Sequence, residues 1–176
     1  GILLMMTTGM RIGELCALKW ENINLRERTI RISGSLQRLH NTGADGETKT
    51  RIVIGSPKSS TSARTIPITD YTLELCRRFE VKNAGAYVLT GNERYMEPRT
   101  LQYRIEKYTD ECELNGVHAH TLRHTFATRA VEVGFEIKSL SEILGHATTT
   151  ITLERYVHSA MELKRINMDK LAAAGF

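Results

Sequence analysis

The 176-residue chain has few cysteines, and none of them stands in a pattern typical of a metal or redox site. The three are Cys16, Cys76 and Cys112, an odd number without a CxxC pair. This argues against a disulfide framework and against a zinc site, and it fits a reducing cytoplasm. We therefore expect all three cysteines to be small core residues.

The chain also lacks long apolar runs, repeats and low-complexity segments. No stretch approaches the roughly 20 apolar residues of a membrane-spanning helix, and no signal peptide is evident. We expect a cytoplasmic protein of one domain, without membrane contact. Because the chain begins GILLMMTTG, without an initiator methionine, we expect it to be a piece of a longer protein.

The overall composition is that of an ordinary globular domain. Hydrophobic residues make up 41% and charged residues 25% of the chain, which is long enough to bury a real core. The formal net charge is +4 and the isoelectric point is about 9.1. This mild positive excess permits a nucleic-acid partner without requiring one.

Hydrophobic periodicity predicts an α+β fold that is predominantly α-helical, with a small antiparallel sheet. The predicted helices span about 1–8, 13–20, 71–82, 98–113, 121–133, 137–144, 151–156 and 160–174. The predicted strands span 29–32, 35–39, 51–54 and 64–68. We expect the last two strands to form a hairpin that carries Lys58 near its tip.

The stretch AHTLRHTFATRA, residues 119–130, is the first candidate for a functional site. His120 and Arg123 stand three residues apart, so on a helix they share a face one turn apart. A guanidinium can hold two phosphate oxygens, while an imidazole holds or moves a proton. An ordinary helix start, with Thr121 as its cap, explains the same residues about equally well.

Three further places offer groups that act on phosphate, and each has an ordinary structural interpretation. Arg11 precedes a short helix whose N-terminus favours an anion, or it is a surface arginine. Lys58 is a mobile cation or simply a solvated lysine. His146 ends one helix, and Tyr156, ten residues later, is a nucleophile or a packing residue.

In combination and in this order, these places resemble the catalytic domain of the tyrosine recombinases, also called phage-type integrases. The matching stretches are TGMRIGELCALKW (8–20), PKSSTSARTIPI (57–68), HAHTLRHTFATRAVEVG (118–134) and LSEILGHATTTITLERYVH (140–158). The chain looks most similar to integrases of prophages and conjugative transposons. The resemblance implies one catalytic domain over residues 1–176, with a helical tail at 160–176. It also implies that core-binding and arm-binding domains precede the chain in the longer protein.

The resemblance further implies an enzyme that cleaves and rejoins DNA strands through a covalent 3′-phosphotyrosine intermediate, for integration or excision of a mobile element. The implied enzyme requires no metal, ATP or other cofactor. The implied catalytic residues are Arg11, Lys58, His120, Arg123, His146 and Tyr156. The arginines clamp the phosphate, Tyr156 attacks it and Lys58 protonates the leaving oxygen. His120 assists proton transfer or orients the phosphate, and His146 donates a further hydrogen bond to the phosphate. Glu14 orients its neighbours.

The implied partner is double-stranded DNA at attachment sites, bound by a homo-tetramer. The C-terminal helix either docks on a neighbouring protomer or packs on its own core, and the isolated piece is expected to be a monomer without DNA. Two alternatives stay open: a type IB topoisomerase with the same chemistry, and a DNA-binding protein that keeps the fold without activity. The spacing from LGH to Tyr156 favours the recombinase. The presence of all six catalytic residue types argues against an inactive protein.

Overall fold

A computed structural model describes residues 1–40, 50–55, 63–156, 161–173 and 175; at 40, 155, 156, 161–164, 166 and 167 it describes the backbone without the side chain. The helices in this part of the chain are α1 (Ile2–Thr8), α2 (Ile12–Ala17), α3 (Asp70–Phe79), α4 (Pro98–Asp110), α5 (Ala119–Glu132), α6 (Ile137–Leu144), α7 (Thr149–Tyr156) and α8 (Met161–Ala173). A short 3-10 helix spans Trp20–Asn22. The strands are β1 (Ile23–Asn24), β2 (Thr29–Ile32), β3 (Ser35–His40), β4 (Thr50–Gly55) and β5 (Arg64–Pro67).

The strands form two antiparallel sheets, one of three strands in the order β1-β2-β5 and one of two strands, β3-β4. The prediction of a hairpin between the strands near 51–54 and 64–68 is therefore wrong. In β5, Ile66 lies opposite Ile30 of β2, and both side chains are buried. Strand β4 pairs with β3 instead, with Ile54 opposite Leu36. Residues 56–62, which include Lys58, lie outside the described part of the chain.

The main hydrophobic core lies between helices α1 to α5 and the three-stranded sheet. Its most deeply buried members include Met5, Leu15, Ile30, Ile66 and Ile105. A second, smaller cluster joins α5 to α6 through Ala127, Ala130, Leu140 and Leu144. Helix α1 packs on α5, and α6 packs on α5, α7 and β5. These contacts place the C-terminal end of α6 among elements that are far apart in the sequence.

The predicted α+β fold with mostly helical content is confirmed, although the segment predicted as one helix over 13–20 divides at Ala17. Two cysteines are buried as predicted, and burial raises the pKa of the Cys16 thiol to about 12. The prediction for Cys112 is wrong, because it lies exposed in the turn after α4, next to Glu111. No described helix is both long and apolar enough to span a bilayer.

Because buried and exposed side chains alternate along β5, substitutions at two neighbouring positions should change the free energy of unfolding by different amounts. Ile66 is 1% exposed, whereas Thr65 points to solvent. We expect Ile66→Ala to lower the free energy of unfolding by about 2–5 kcal/mol, since it leaves a cavity in the core. Thr65→Ala is the matched control and should cost less than about 1 kcal/mol. Urea unfolding followed by circular dichroism measures both, and equal losses would contradict the strand register.

Candidate functional site

Three successive backbone carbonyls at the C-terminal end of α6 each accept a hydrogen bond from an arginine of a different element. The pairs are Arg64 Nε to Ile143 O at 2.6 Å, Arg123 Nη2 to Leu144 O at 2.8 Å and Arg11 Nη2 to Gly145 O at 3.0 Å. The last carbonyls of a helix lack intrahelical partners and carry the negative end of the helix dipole. The helix end therefore gathers three guanidinium groups from β5, α5 and the start of α2.

Gly145 ends α6 because its backbone adopts a left-handed conformation, with φ of 65° and ψ of 47°. A glycine reaches this region without steric cost. Space is equally restrictive, since a Cβ atom at Gly145 would lie 2.8 Å from Nη1 of Arg64. The turn directs the chain into His146, whose backbone N–H donates to Ser141 O at 3.1 Å. A glycine at this position thus permits both the helix end and the close approach of Arg64.

Glu14 is a buried carboxylate shared by two of the arginines. Arg64 binds it bidentately, with Nη1 to Oε1 at 2.9 Å and Nη2 to Oε2 at 2.8 Å. Arg11 donates from Nη1 to Oε1 at 2.9 Å and from its backbone N–H to Oε2 at 2.8 Å. The side chains of Arg64 and Glu14 are only 6% and 4% exposed, whereas that of Arg11 is 42% exposed. One carboxylate for two guanidinium groups leaves this trio with a net positive charge.

The pKa of Glu14 lies below its ordinary value of 4.5. Burial on its own raises the pKa, because it disfavours the charged carboxylate. The hydrogen bonds and positive charge of Arg64, followed by those of Arg11, outweigh burial and favour the ionised form. Glu14 is therefore a carboxylate at neutral pH and holds both arginines by charge-assisted hydrogen bonds.

Arg123 and His146 form the buried side of the same site, and their side chains meet at one nitrogen pair. Arg123 is 4% exposed and His146 is 8% exposed. Arg123 Nη1 donates to Gly9 O at 2.6 Å, while Nη2 lies 3.0 Å from His146 Nε2. The turn at Gly9, with φ of 64°, also leads directly into Arg11. This turn thus holds Arg123 and positions Arg11 at the same time.

The structure brings four of the predicted site residues into one hydrogen-bonded network: Arg11, Glu14, Arg123 and His146. His120 lies one turn before Arg123 on the exposed start of α5, its ring 6.4 Å from that of His118. Tyr156 is the last residue of α7, and its side chain lies outside the described part, as does Lys58 entirely. The roles assigned to all these residues remain predictions.

The N-cap residue of α5 is not the one expected from the sequence. His118, and not Thr121, is the N-cap residue, and its Nδ1 accepts from the Thr121 backbone N–H at 3.2 Å. The Thr121 hydroxyl in turn accepts from the His118 backbone N–H at 3.4 Å. This reciprocal pair fixes the start of the helix that carries His120 and Arg123.

Two residues of the site were missed in the sequence, Arg64 and Thr152. Arg64 shares strand parity with the buried Ile66 and Ile68, so an inward-facing charge was the available signal. Thr152 is fully buried, and its Oγ1 lies 2.8 Å from His146 Nδ1. It stands among several threonines, and nothing in the local pattern distinguishes it from the exposed Thr150.

The chain belongs to the phage integrase family, whose family model matches residues 2–162. The resemblance drawn from the sequence motifs is thereby confirmed. The chain is 28% identical over 172 residues to a tyrosine recombinase XerC-like protein of Caldanaerobacter subterraneus subsp. tengcongensis, covering 89% of this chain and 44% of that protein. It is 27% identical over 191 residues to the transposase from transposon Tn916 of Enterococcus faecalis, covering 96% of this chain and 45% of the transposase. The chain thus spans less than half the length of these curated relatives.

Solved structures show the same similarity. A structure of the Tn1549 transposon integrase in complex with transposon right end DNA has a TM-score of 0.76 and 26% identity, covering 97% of this chain and 57% of that one. The crystal structure of XerA recombinase, with a TM-score of 0.65 and 22% identity, covers 95% of this chain and 54% of that one. The latter likeness shows a shared fold.

The buried Glu14 carboxylate predicts a pH-dependent loss of stability. At neutral pH we expect Glu14→Gln to lower the free energy of unfolding by about 3–5 kcal/mol, because the buried Arg64 guanidinium loses its counter-charge and the half-exposed Arg11 loses its ion pair. The folded pKa lies below the ordinary value of 4.5, so the contribution is complete above that pH and declines as the pH falls through the folded pKa. Urea unfolding of both proteins at a series of pH values should show the difference narrowing below about pH 4.5. Glu21→Gln, at an exposed position, is the control; a constant difference at all pH values would refute the explanation.

Proposed function

We propose that the chain is the catalytic domain of a site-specific DNA recombinase. It cleaves and rejoins DNA strands through a covalent 3′-phosphotyrosine intermediate, in the integration or excision of a mobile element. Membership of the phage integrase family supports this proposal, as does the similarity to a transposon integrase in complex with DNA. The helical tail at 160–176 and core-binding and arm-binding domains before the chain are part of the same proposal.

The observation that carries the proposal is the clamp at the end of α6, formed by Arg11, Arg123 and His146. Two guanidinium groups and an imidazole stand at one helix end, and Arg11 is the most exposed of the three. A phosphodiester already carries a negative charge, and attack on its phosphorus adds charge to the non-bridging oxygens. The N–H donors of the two guanidinium groups are already in place, so they stabilise that developing charge without reorganising.

The proposed step forms one bond and breaks one. The Tyr156 oxygen attacks the phosphorus and forms a bond to the 3′ phosphate, after its proton is drawn off with the help of His120. The 5′-oxygen leaves as a hydroxyl and takes its proton from Lys58. Attack by the 5′-hydroxyl of another strand reverses the step. Because the phosphotyrosine bond conserves the energy of the phosphodiester, the proposed cycle needs no ATP.

The proposed partner is double-stranded DNA at the attachment sites of the element, engaged by a homo-tetramer. The formal charge of +4 favours contact with the phosphate backbone. Since the chain spans less than half of its curated relatives, we propose that the longer protein surrounds the duplex and that this chain alone binds it more weakly. Base-edge contacts of that longer protein then set the sequence of the attachment site.

A nicked suicide duplex carrying the attachment site tests the nucleophile. After cleavage the short strand diffuses away, so the wild-type chain accumulates as a covalent protein–DNA band on a denaturing gel. We expect Tyr156→Phe to abolish the band while DNA binding in a mobility-shift assay stays unchanged. Tyr103→Phe is the control, since Tyr103 is 66% exposed on α4, and it should keep the band. A band that persists in Tyr156→Phe would refute the assignment.

The same band separates the proposal from its alternatives. A chain that binds DNA without forming any covalent band is a DNA-binding protein that has lost the chemistry. A chain that forms the band but relaxes supercoiled DNA without exchanging strands between two duplexes is a topoisomerase. Strand exchange between two labelled attachment-site duplexes supports the recombinase.

Changing the leaving group of the DNA tests whether Lys58 donates the proton. We expect Lys58→Ala to slow cleavage of a normal duplex by about 100-fold, within the range for loss of a general acid. A duplex with sulfur in place of the 5′-bridging oxygen has a leaving group that needs no proton, and its cleavage should fall by less than about tenfold. Lys82→Ala, at an exposed lysine, is the control and should cleave both duplexes normally. Equal loss on both duplexes would argue against proton donation by Lys58.

A further inference from the structure

Thr152 links the clamp to the helix that ends in Tyr156. Its hydroxyl lies 2.8 Å from Nδ1 of His146, and Nε2 of the same imidazole lies 3.0 Å from Nη2 of Arg123. All three side chains are buried, and Thr152 is fully inaccessible. Thr152 belongs to α7, whereas His146 lies just beyond the end of α6. The imidazole thus lies between the Arg123 guanidinium, which only donates hydrogen bonds, and the Thr152 hydroxyl, which donates or accepts them.

This arrangement determines where the imidazole carries its hydrogen. A guanidinium has N–H donors and no acceptor, so the bond to Arg123 requires a lone pair on His146 Nε2. A neutral imidazole without hydrogen on Nε2 carries it on Nδ1. The Nδ1–H group then donates to Thr152 Oγ1. These two contacts therefore assign to His146, in the protein without DNA, the neutral tautomer with hydrogen on Nδ1.

The proposed function needs the opposite tautomer. If His146 donates a hydrogen bond to a phosphate oxygen from the nitrogen that faces Arg123, Nε2 must carry the hydrogen. A bound phosphate makes this change favourable, because its oxygens take up the N–H groups of Arg123. The imidazole then loses the hydrogen on Nδ1 and gains one on Nε2 by exchange with water, with no net change in protonation. The vacated Nδ1 lone pair needs a donor, and a threonine hydroxyl supplies one by rotating its hydrogen.

We infer that Thr152 is a positioning residue for the reaction: its hydroxyl holds His146 in both tautomers and lets the imidazole change from an acceptor to a donor when a DNA phosphate binds. This inference rests on the proposed function for the DNA-bound tautomer, while the DNA-free tautomer is assigned from the two contacts of the imidazole alone. Tyr156 follows Thr152 by one turn of α7, so the same bond also ties the position of that helix to the imidazole.

The tautomer is measured without any reaction. Long-range ¹H–¹⁵N correlation spectra of the histidine-labelled chain show which ring nitrogen carries hydrogen, and the His146→Gln spectrum identifies the signal of His146. In the DNA-free protein at neutral pH we expect hydrogen on Nδ1 alone. Hydrogen on Nε2, or on both nitrogens, would overturn the inference whatever the chain does to DNA.

The role in the reaction is tested with Thr152→Val, which removes the hydroxyl at nearly constant volume, and with Thr152→Ser, which keeps it. On the suicide duplex we expect Thr152→Val to lower the first-order cleavage rate about tenfold, the effect of one lost buried hydrogen bond, at unchanged DNA affinity. Thr152→Ser should stay within about threefold of wild type. Thr150→Val, at an exposed position of the same helix, is the control.

The outcomes separate this inference from the proposed function. Thermal unfolding shows whether each variant is folded, and a loss of rate that is equal in Thr152→Val and Thr152→Ser would overturn the role of the hydroxyl. An unchanged rate in Thr152→Val would overturn it too. If the wild-type chain forms no covalent band, the proposed function fails, and the DNA-free spectrum still decides the tautomer.

Discussion

The hydrogen bonds from three arginines to the last carbonyls of α6 are the constraint on which the rest of the site depends. Those carbonyls need donors in any case, because a helix end leaves them without partners. A guanidinium has five N–H groups, so each arginine satisfies a carbonyl and still reaches a second partner. For Arg11 and Arg64 that partner is Glu14, and for Arg123 it includes the Gly9 carbonyl. The same hydrogen bonds therefore satisfy the last backbone carbonyls of α6 and bring the arginines of the site together.

The three arginines differ in burial, and as a result the site has a buried side and an exposed side. Arg64 and Arg123 are nearly inaccessible, while the Arg11 side chain is 42% exposed. Arg64 stands behind Glu14, and Glu14 in turn fixes the more exposed Arg11. The depressed pKa of Glu14 keeps this arrangement charged at neutral pH. Fixed charges of this kind are effective because they are in place before an anion arrives.

The features that depend on local chemistry could be predicted from the sequence. The spacing of His120 and Arg123, the helix end at Gly145 and the predominantly helical fold all follow from periodicity and glycine chemistry. The partners of the strands did not follow, because alternation marks a strand without naming its neighbour. Arg64 and Thr152 were missed for a similar reason, since their partners Ile143 and His146 are set by tertiary packing. The placement of Lys58 and of the Tyr156 side chain remains a prediction.

The use of backbone carbonyls as acceptors has a consequence for how this domain tolerates change. Every residue type has a carbonyl, so no side-chain replacement at Ile143 or Leu144 removes an acceptor from the arginines. Packing still restricts Leu144, which is fully buried, but the chemistry of the clamp does not. The exposed residues Lys138, Ser139 and Glu142 are less restricted still. The surface of α6 is thus open to divergence or redesign toward new contacts, provided that the helix still stops at residue 145.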